Sequence, residues 1–161
     1  MILRIIFSLF IFFSLASNSY SASSSSDGGS KSNYDKAANL IKAAKKYESK
    51  GKDDKAKKRY ERALKLLIKS NKEKPNQADT LNYLGFTTRK LGNYEEGEKY
   101  YLLGLKIEPD HKGINEYLGE LYVVTNRIEL AKQRLDVLKN CNCEEYKELK
   151  DIIDGNKKSK Y

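Results

Sequence analysis

A 34-residue pattern runs through this chain twice without a break, and once more upstream in degenerate form. From Ala78 to His111 the chain reads ADTLNYLGFTTRKLGNYEEGEKYYLLGLKIEPDH, and from Lys112 it starts again as KGINEYLGELYVVTNRIELAKQRLDVLKNCNCEE. Leu84-Gly85 recurs at that spacing as Leu118-Gly119. A period of this size marks a unit that cannot bury its apolar face alone and stacks on its neighbours. Stacked helical hairpins offer an extended surface for a protein or peptide, not a closed globule around one central active site.

The second copy reads most clearly. Leu81, Leu84, Thr88 and Leu91 fall at i, i+3, i+7 and i+10, one face of a helix over about Ala78 to Leu91. Gly92-Asn93 ends that helix and restarts the next. The following helix runs from Tyr94 to Ile107 and carries Tyr94, Tyr101 and Leu105, and Pro109 prevents its continuation. Gly97 and Gly104 each cost a helix about 1 kcal/mol relative to Ala. Their presence implies a neighbouring helix too close for a side chain.

The first copy holds Leu40, Ala43-Ala44, Tyr47, Ala56, Tyr60 and Ala63 in matching slots, with Gly51 at the turn. It starts at Ala37, 41 residues before Ala78, which is seven more than one period. Seven residues is close to two helical turns. The extra piece, around Leu66 to Glu73, can therefore lengthen the second helix without rotating its apolar face, and Pro75 ends it.

These slots resemble the tetratricopeptide repeat. The second copy fills them with Leu81, Leu84-Gly85, Thr88, Gly97, Tyr101, Gly104 and Pro109. The third fills them with Asn115, Leu118-Gly119, Tyr122, Ala131, Leu135, Leu138 and Cys143. The first slot lacks its usual aromatic in both, and Cys143 replaces the usual proline. The resemblance covers about Ala37 to Asp154 and is closest to small exported bacterial proteins of this kind. It implies an all-α, right-handed solenoid of three hairpins, at about 37–70, 78–111 and 112–145. A capping helix is expected over 144–154, where Tyr146, Leu149, Ile152 and Ile153 form one stripe and Glu144 and Glu145 favour the positive N-terminal end. The segment 155–161 is a basic tail.

The chain outside the repeats is read separately. Residues 1–21 have the character of a signal peptide: Arg4, an 11-residue apolar-dominated run from Ile5 to Leu15, then small residues, with cleavage expected after Ser21. The run is too short to span a bilayer as a helix. Residues 22–33 are a Ser/Gly-rich linker that buries too little to offset its ordering entropy. The repeat domain is then expected over 34–154, in an exported, periplasmic or secreted, monomeric protein.

The net charge of +9 is unevenly spread. Lys31 to Lys74 holds 16 Lys and Arg against 6 Asp and Glu, whereas Pro75 to Tyr161 holds 14 against 15. Lysines interleaved with acids describe a solvated helix face better than a binding patch. Contact of the basic first hairpin with an anionic membrane surface stays open as an alternative. Scarce arginine and export both argue against nucleic acid.

The resemblance also implies where a partner binds. First helices of such hairpins line a concave groove, which places Ile41 and Lys45, then Asn82, Phe86, Arg89 and Lys90, then Glu116, Glu120 and Val123 along it. Phe86 either anchors a partner or packs against a neighbouring repeat. Some family members clamp a C-terminal carboxylate with Lys, Asn and Arg. The matching slots here hold Ile41, Lys45, Tyr83, Gly113 and Tyr117, with one cation among them, so that clamp is disfavoured. Arg89 and Lys90 could still meet an acidic peptide.

Cys141 and Cys143 admit three readings: a local disulfide, free or intermolecular thiols, or a soft-metal pair. Each thiol reading would make the chain a redox or metal-handling accessory. A four-ligand zinc site is not available from two Cys and the single His111. There is no phosphate-cradling Gly-rich loop, GxSxG elbow or HExxH pair. No catalytic residue, metal or cofactor is assigned, and the chain is read as a non-enzymatic scaffold for a protein or peptide.

Overall fold

The computed structural model describes residues 31–159. The predicted signal segment and nearly all of the linker lie outside the described residues. Among the described residues seven α-helices follow one another: α1 (Asn33–Glu48), α2 (Asp53–Glu73), α3 (Ala78–Lys90), α4 (Tyr94–Ile107), α5 (Lys112–Val124), α6 (Ile128–Leu138) and α7 (Glu144–Ile153). Helices α1, α3 and α5 each pair with the next into a hairpin, α2 packs on α3, α4 on α5, and α7 closes the stack against α5 and α6. This is the all-α solenoid expected from the repeats. Among the described residues no helix is long and apolar enough to cross a membrane.

The helix ends follow local chemistry. Ser32 accepts from the Asp35 N–H and Asp35 answers to the Ser32 N–H, a reciprocal cap for α1. The linker expected through Asn33 thus ends one residue earlier. Asn93 caps α4 through the Glu96 N–H. The expected extension of α2 is present: it has 21 residues against 14 in α4. Gly92 turns between helices at φ +92°, and Asn126, one period later, takes the same left-handed region at φ +58°.

Packing follows the slots. Tyr60, Tyr101, Leu84, Leu118, Ala63 and Ala131 are all buried. The Tyr101 ring lies on Gly85, where an added Cβ would stand 2.6 Å from two ring carbons. At Gly97 it would stand 3.0 Å from the Gly85 carbonyl oxygen and 3.2 Å from the Arg89 Cβ, the close helix approach expected there. The third hairpin has Leu135 where the second has Tyr101, and Leu149 of α7 reaches Gly119 instead. The cap therefore fills a place that α6 leaves.

Asn115, which stands where the family favours an aromatic, is fully buried. Its Nδ2 donates to the carbonyls of Pro109 and His111, at 3.0 Å each, and its Oδ1 accepts from Arg134 at 3.4 Å. Hydrogen bonds to the repeat boundary thus replace an aromatic packing contact. His111 joins in: Nδ1 accepts from the Ile114 N–H at 3.1 Å, so Nε2 carries the proton toward Asp79 at 3.2 Å.

Candidate partner-binding groove

Helices α1, α3 and α5 present successive inner faces, and α7 stands as a wall at the end of the row. Between them lies a hollow of about 660 Å³, lined by Lys45, Glu48 and Ser49 of the first hairpin, Phe86 and Lys90 of α3, Glu116, Tyr117 and Glu120 of α5, and Glu144, Glu145 and Glu148 of α7. A second hollow of about 420 Å³ shares Glu116, Tyr117 and Glu145 with it and continues to Asn82, Tyr83 and His111.

Aromatic rings make the floor. Phe86 is 1% exposed and packs on Tyr60 and Tyr117, with ring centres 5.9 and 5.1 Å away. The Lys45 ammonium lies 4.5 Å from the Phe86 ring centre and 5.3 Å from that of Tyr117, within cation–π range. It also donates to the Tyr117 hydroxyl at 3.1 Å.

Two ion pairs tie the helices together beneath the hollow. Arg89 is buried; its Nη1 donates to the Tyr117 carbonyl at 2.7 Å and its Nη2 to Glu120 Oε2 at 3.2 Å. Lys90 meets Glu48 at 2.6 Å, with little of its side chain exposed. The remaining lining is acidic. Burial pushes the Glu116 carboxyl up to about 8, and Glu120, Glu145 and Glu148 add to the rise while Lys45 opposes it. Burial first, and then the Glu116 charge, also raise the Tyr117 hydroxyl.

A sequence profile described as "Tetratricopeptide repeat" matches residues 78–111, the hairpin of α3 and α4. Residues 78–111 are thus one tetratricopeptide repeat. No curated protein sequence matches it. Among solved structures, the repeat stack is similar to the first TPR of Spaghetti (RPAP3) bound to the HSP90 peptide SRMEEVD. That match has 20% identity and a TM-score of 0.53, and covers 78% of this chain and 96% of that one. It is also similar to the Yersinia enterocolitica type III secretion translocator chaperone SycD, at 19% identity and a TM-score of 0.54, covering 75% of this chain and 88% of that one. At these identities the likeness is one of fold.

The groove positions implied by the tetratricopeptide pattern divide in the structure. Lys45, Phe86, Lys90, Glu116 and Glu120 line the larger hollow, and Asn82 lines the smaller one. Ile41 is 3% exposed and belongs to the core, and Val123 lines neither hollow. Phe86 packs against both neighbouring repeats rather than standing out as an anchor. Arg89 and Lys90, which the sequence leaves open to an acidic peptide, are engaged by Glu120 and Glu48.

The sequence reading omitted the α7 wall. In the sequence Glu144 and Glu145 read only as the N-terminal end of a cap, and Glu148 has no assigned role. Their i, i+3 and i, i+4 spacing, beside the Leu149 and Ile152 stripe, is the signal that places them on one surface. Cys141 and Cys143 form a disulfide immediately before this wall, around Asn142 at φ +46°.

Proposed function

We propose that this chain is an exported scaffold that holds a segment of a partner protein in the groove between α1, α3, α5 and α7. One observation carries the reading: the repeat stack leaves an open hollow of about 660 Å³ with an aromatic floor and charged walls on its inner face. Its size falls within the roughly 300–1,000 Å³ typical of ligand pockets. A disulfide in so short a chain supports an oxidising compartment and hence export, alongside the leader-like first residues. That a protein of similar fold is bound to a peptide supports a binding role without naming the partner.

Site-specific photocrosslinking in the envelope of the native host tests this. A photoreactive residue replacing Ser49 or Glu144, both exposed on the groove lining, is expected to give discrete partner adducts. The same residue at Lys65, exposed on α2, is expected to give none. Adducts equally abundant at all three positions, or at Lys65 alone, would sink the groove reading.

A further inference from the structure

The lining of the groove has a definite sign. Six glutamates face it, Glu48, Glu116, Glu120, Glu144, Glu145 and Glu148, against the two lysines Lys45 and Lys90. Glu48 is committed to Lys90 and Glu120 to Arg89. Glu116, Glu144 and Glu145 form no ion pair among the described residues. They lie on two helices, α5 and α7, that pack against each other along the groove. This is a chain with a formal charge of +9, so the acidity is local and opposed to the overall balance.

The chain's own lysines display the chemistry this surface takes. Lys45 lies over the two aromatic rings of the floor. Lys157, beyond the last helix, folds back and donates to Glu148 on the rim. A second, independent feature points the same way. Asn82 is 8% exposed and lines the adjoining hollow, and its Oδ1, an acceptor, has no hydrogen-bond donor among the described residues. Buried acceptors without donors are costly, so a donor-rich ligand is favoured there. Among the described residues no group of three or more His, Cys, Asp or Glu is disposed to hold a metal ion.

We propose that the groove takes a cationic segment of a partner protein, whose lysine or arginine side chains pair with Glu116, Glu144 and Glu145 above the Phe86 and Tyr117 floor. This rests on the groove being the docking surface. It distinguishes the chain from the similar fold bound to SRMEEVD, a peptide with three acids and one arginine. A cation here forms charge-assisted hydrogen bonds in a partly buried site, where they are stronger than at an open surface. It also relieves repulsion among glutamates that the fold holds together.

The test uses the mature full chain and three defined probes: a short fluorescein-labelled peptide alternating lysine and alanine, and its twins with glutamine or glutamate for lysine. Fluorescence anisotropy at moderate salt is expected to give the lysine peptide an affinity at least about tenfold above the glutamine twin, with no binding of the glutamate twin. Glu116→Gln with Glu145→Gln is expected to lose about tenfold for the lysine peptide. Glu129→Gln, exposed on α6 and outside the groove, is expected to leave it unchanged. Equal affinity for the glutamine twin, or tighter binding of the glutamate twin, would overturn the inference while photocrosslinking at Ser49 still upheld the groove. A dimer in sedimentation that the lysine peptide dissociates would give the groove to a second copy and would equally overturn it. Silence of both the peptides and the crosslinks would remove the groove reading itself.

Discussion

The ammonium of Lys45 lies 4.5 Å from the centre of the Phe86 ring and bonds the Tyr117 hydroxyl at 3.1 Å, joining the first helices of all three hairpins. The inner face of the stack is therefore a connected surface, not three separate strips. Phe86 serves that surface from below, as packing. Phe86→Ala is expected to cost about 3–5 kcal/mol, the usual loss for a buried aromatic. Urea unfolding followed by circular dichroism measures it. A change below about 1 kcal/mol would mean that the ring is a surface anchor after all.

Arg89 and Glu120 form a pair with almost no exposure of either side chain. Removing one partner leaves the other charge buried, so Arg89→Ala is expected to destabilise by about 3–5 kcal/mol. Arg89→Met with Glu120→Leu removes both charges, fills similar volume and is expected to recover most of that loss. The double-mutant cycle, read from urea midpoints, checks the coupling. Additive losses would show the pair to be incidental.

The glycines of the helix contacts are not equivalent. At Gly85 a Cβ meets the buried Tyr101 ring at 2.6 Å, whereas at Gly104 it meets the Ile114 Cδ1, the far end of a flexible side chain, at 2.4 Å. The rigid ring has nowhere to move, and Ile114 can change rotamer. Gly85→Ala is expected to cost about 1–3 kcal/mol net of its gain in helix propensity. Gly104→Ala is expected to be closer to neutral. Thermal unfolding of the two variants gives the order, and a reversed order would refute the packing described here.

Much of this was readable in the chain. The period, the turn residues Gly51 and Gly92 and the seven-residue extension of α2 came directly from spacing, because a helical hairpin imposes fixed intervals on its small and apolar residues. The site was less legible. A slot assigns a residue to an inner or outer helix face, but whether it is covered depends on the neighbouring hairpin. Arg89 and Glu120 are 31 residues apart, and nothing local says that they neutralise each other. Ile41 and Phe86 sit in groove slots and are covered by adjoining helices. The α7 wall is not legible because a cap is expected only to shield the stack, and α7 does so while the acidic edge beside its Leu149 and Ile152 stripe borders the groove.

Glu116 carries a pH signature of its own. It faces Glu120 on its own helix, Lys45 of α1 and Glu145 and Glu148 of α7. Its carboxyl is raised from 4.5 to about 8, so between those values the folded chain keeps a proton that the unfolded chain releases. Stability contributed by this group therefore falls as pH rises through that window. Glu116→Gln removes the dependence. The variant is expected to match wild type near the acid end and to exceed it by about 1 kcal/mol above pH 8, allowing for solvent screening. Urea midpoints across the window decide it, and parallel curves for the two proteins would exclude the assignment.

The same proton gives the most direct test of a cationic occupant. Free groove carboxyl that is largely protonated at neutral pH must ionise to pair with a lysine, and the proton leaves for the buffer. Calorimetric titration of the alternating lysine peptide into the mature chain, at neutral pH in two buffers of unlike ionisation enthalpy, counts those protons. Net proton release in wild type, reduced in Glu116→Gln, is the predicted result. Heats that do not change with the buffer, or a net uptake of protons, would contradict a groove built to receive positive charge.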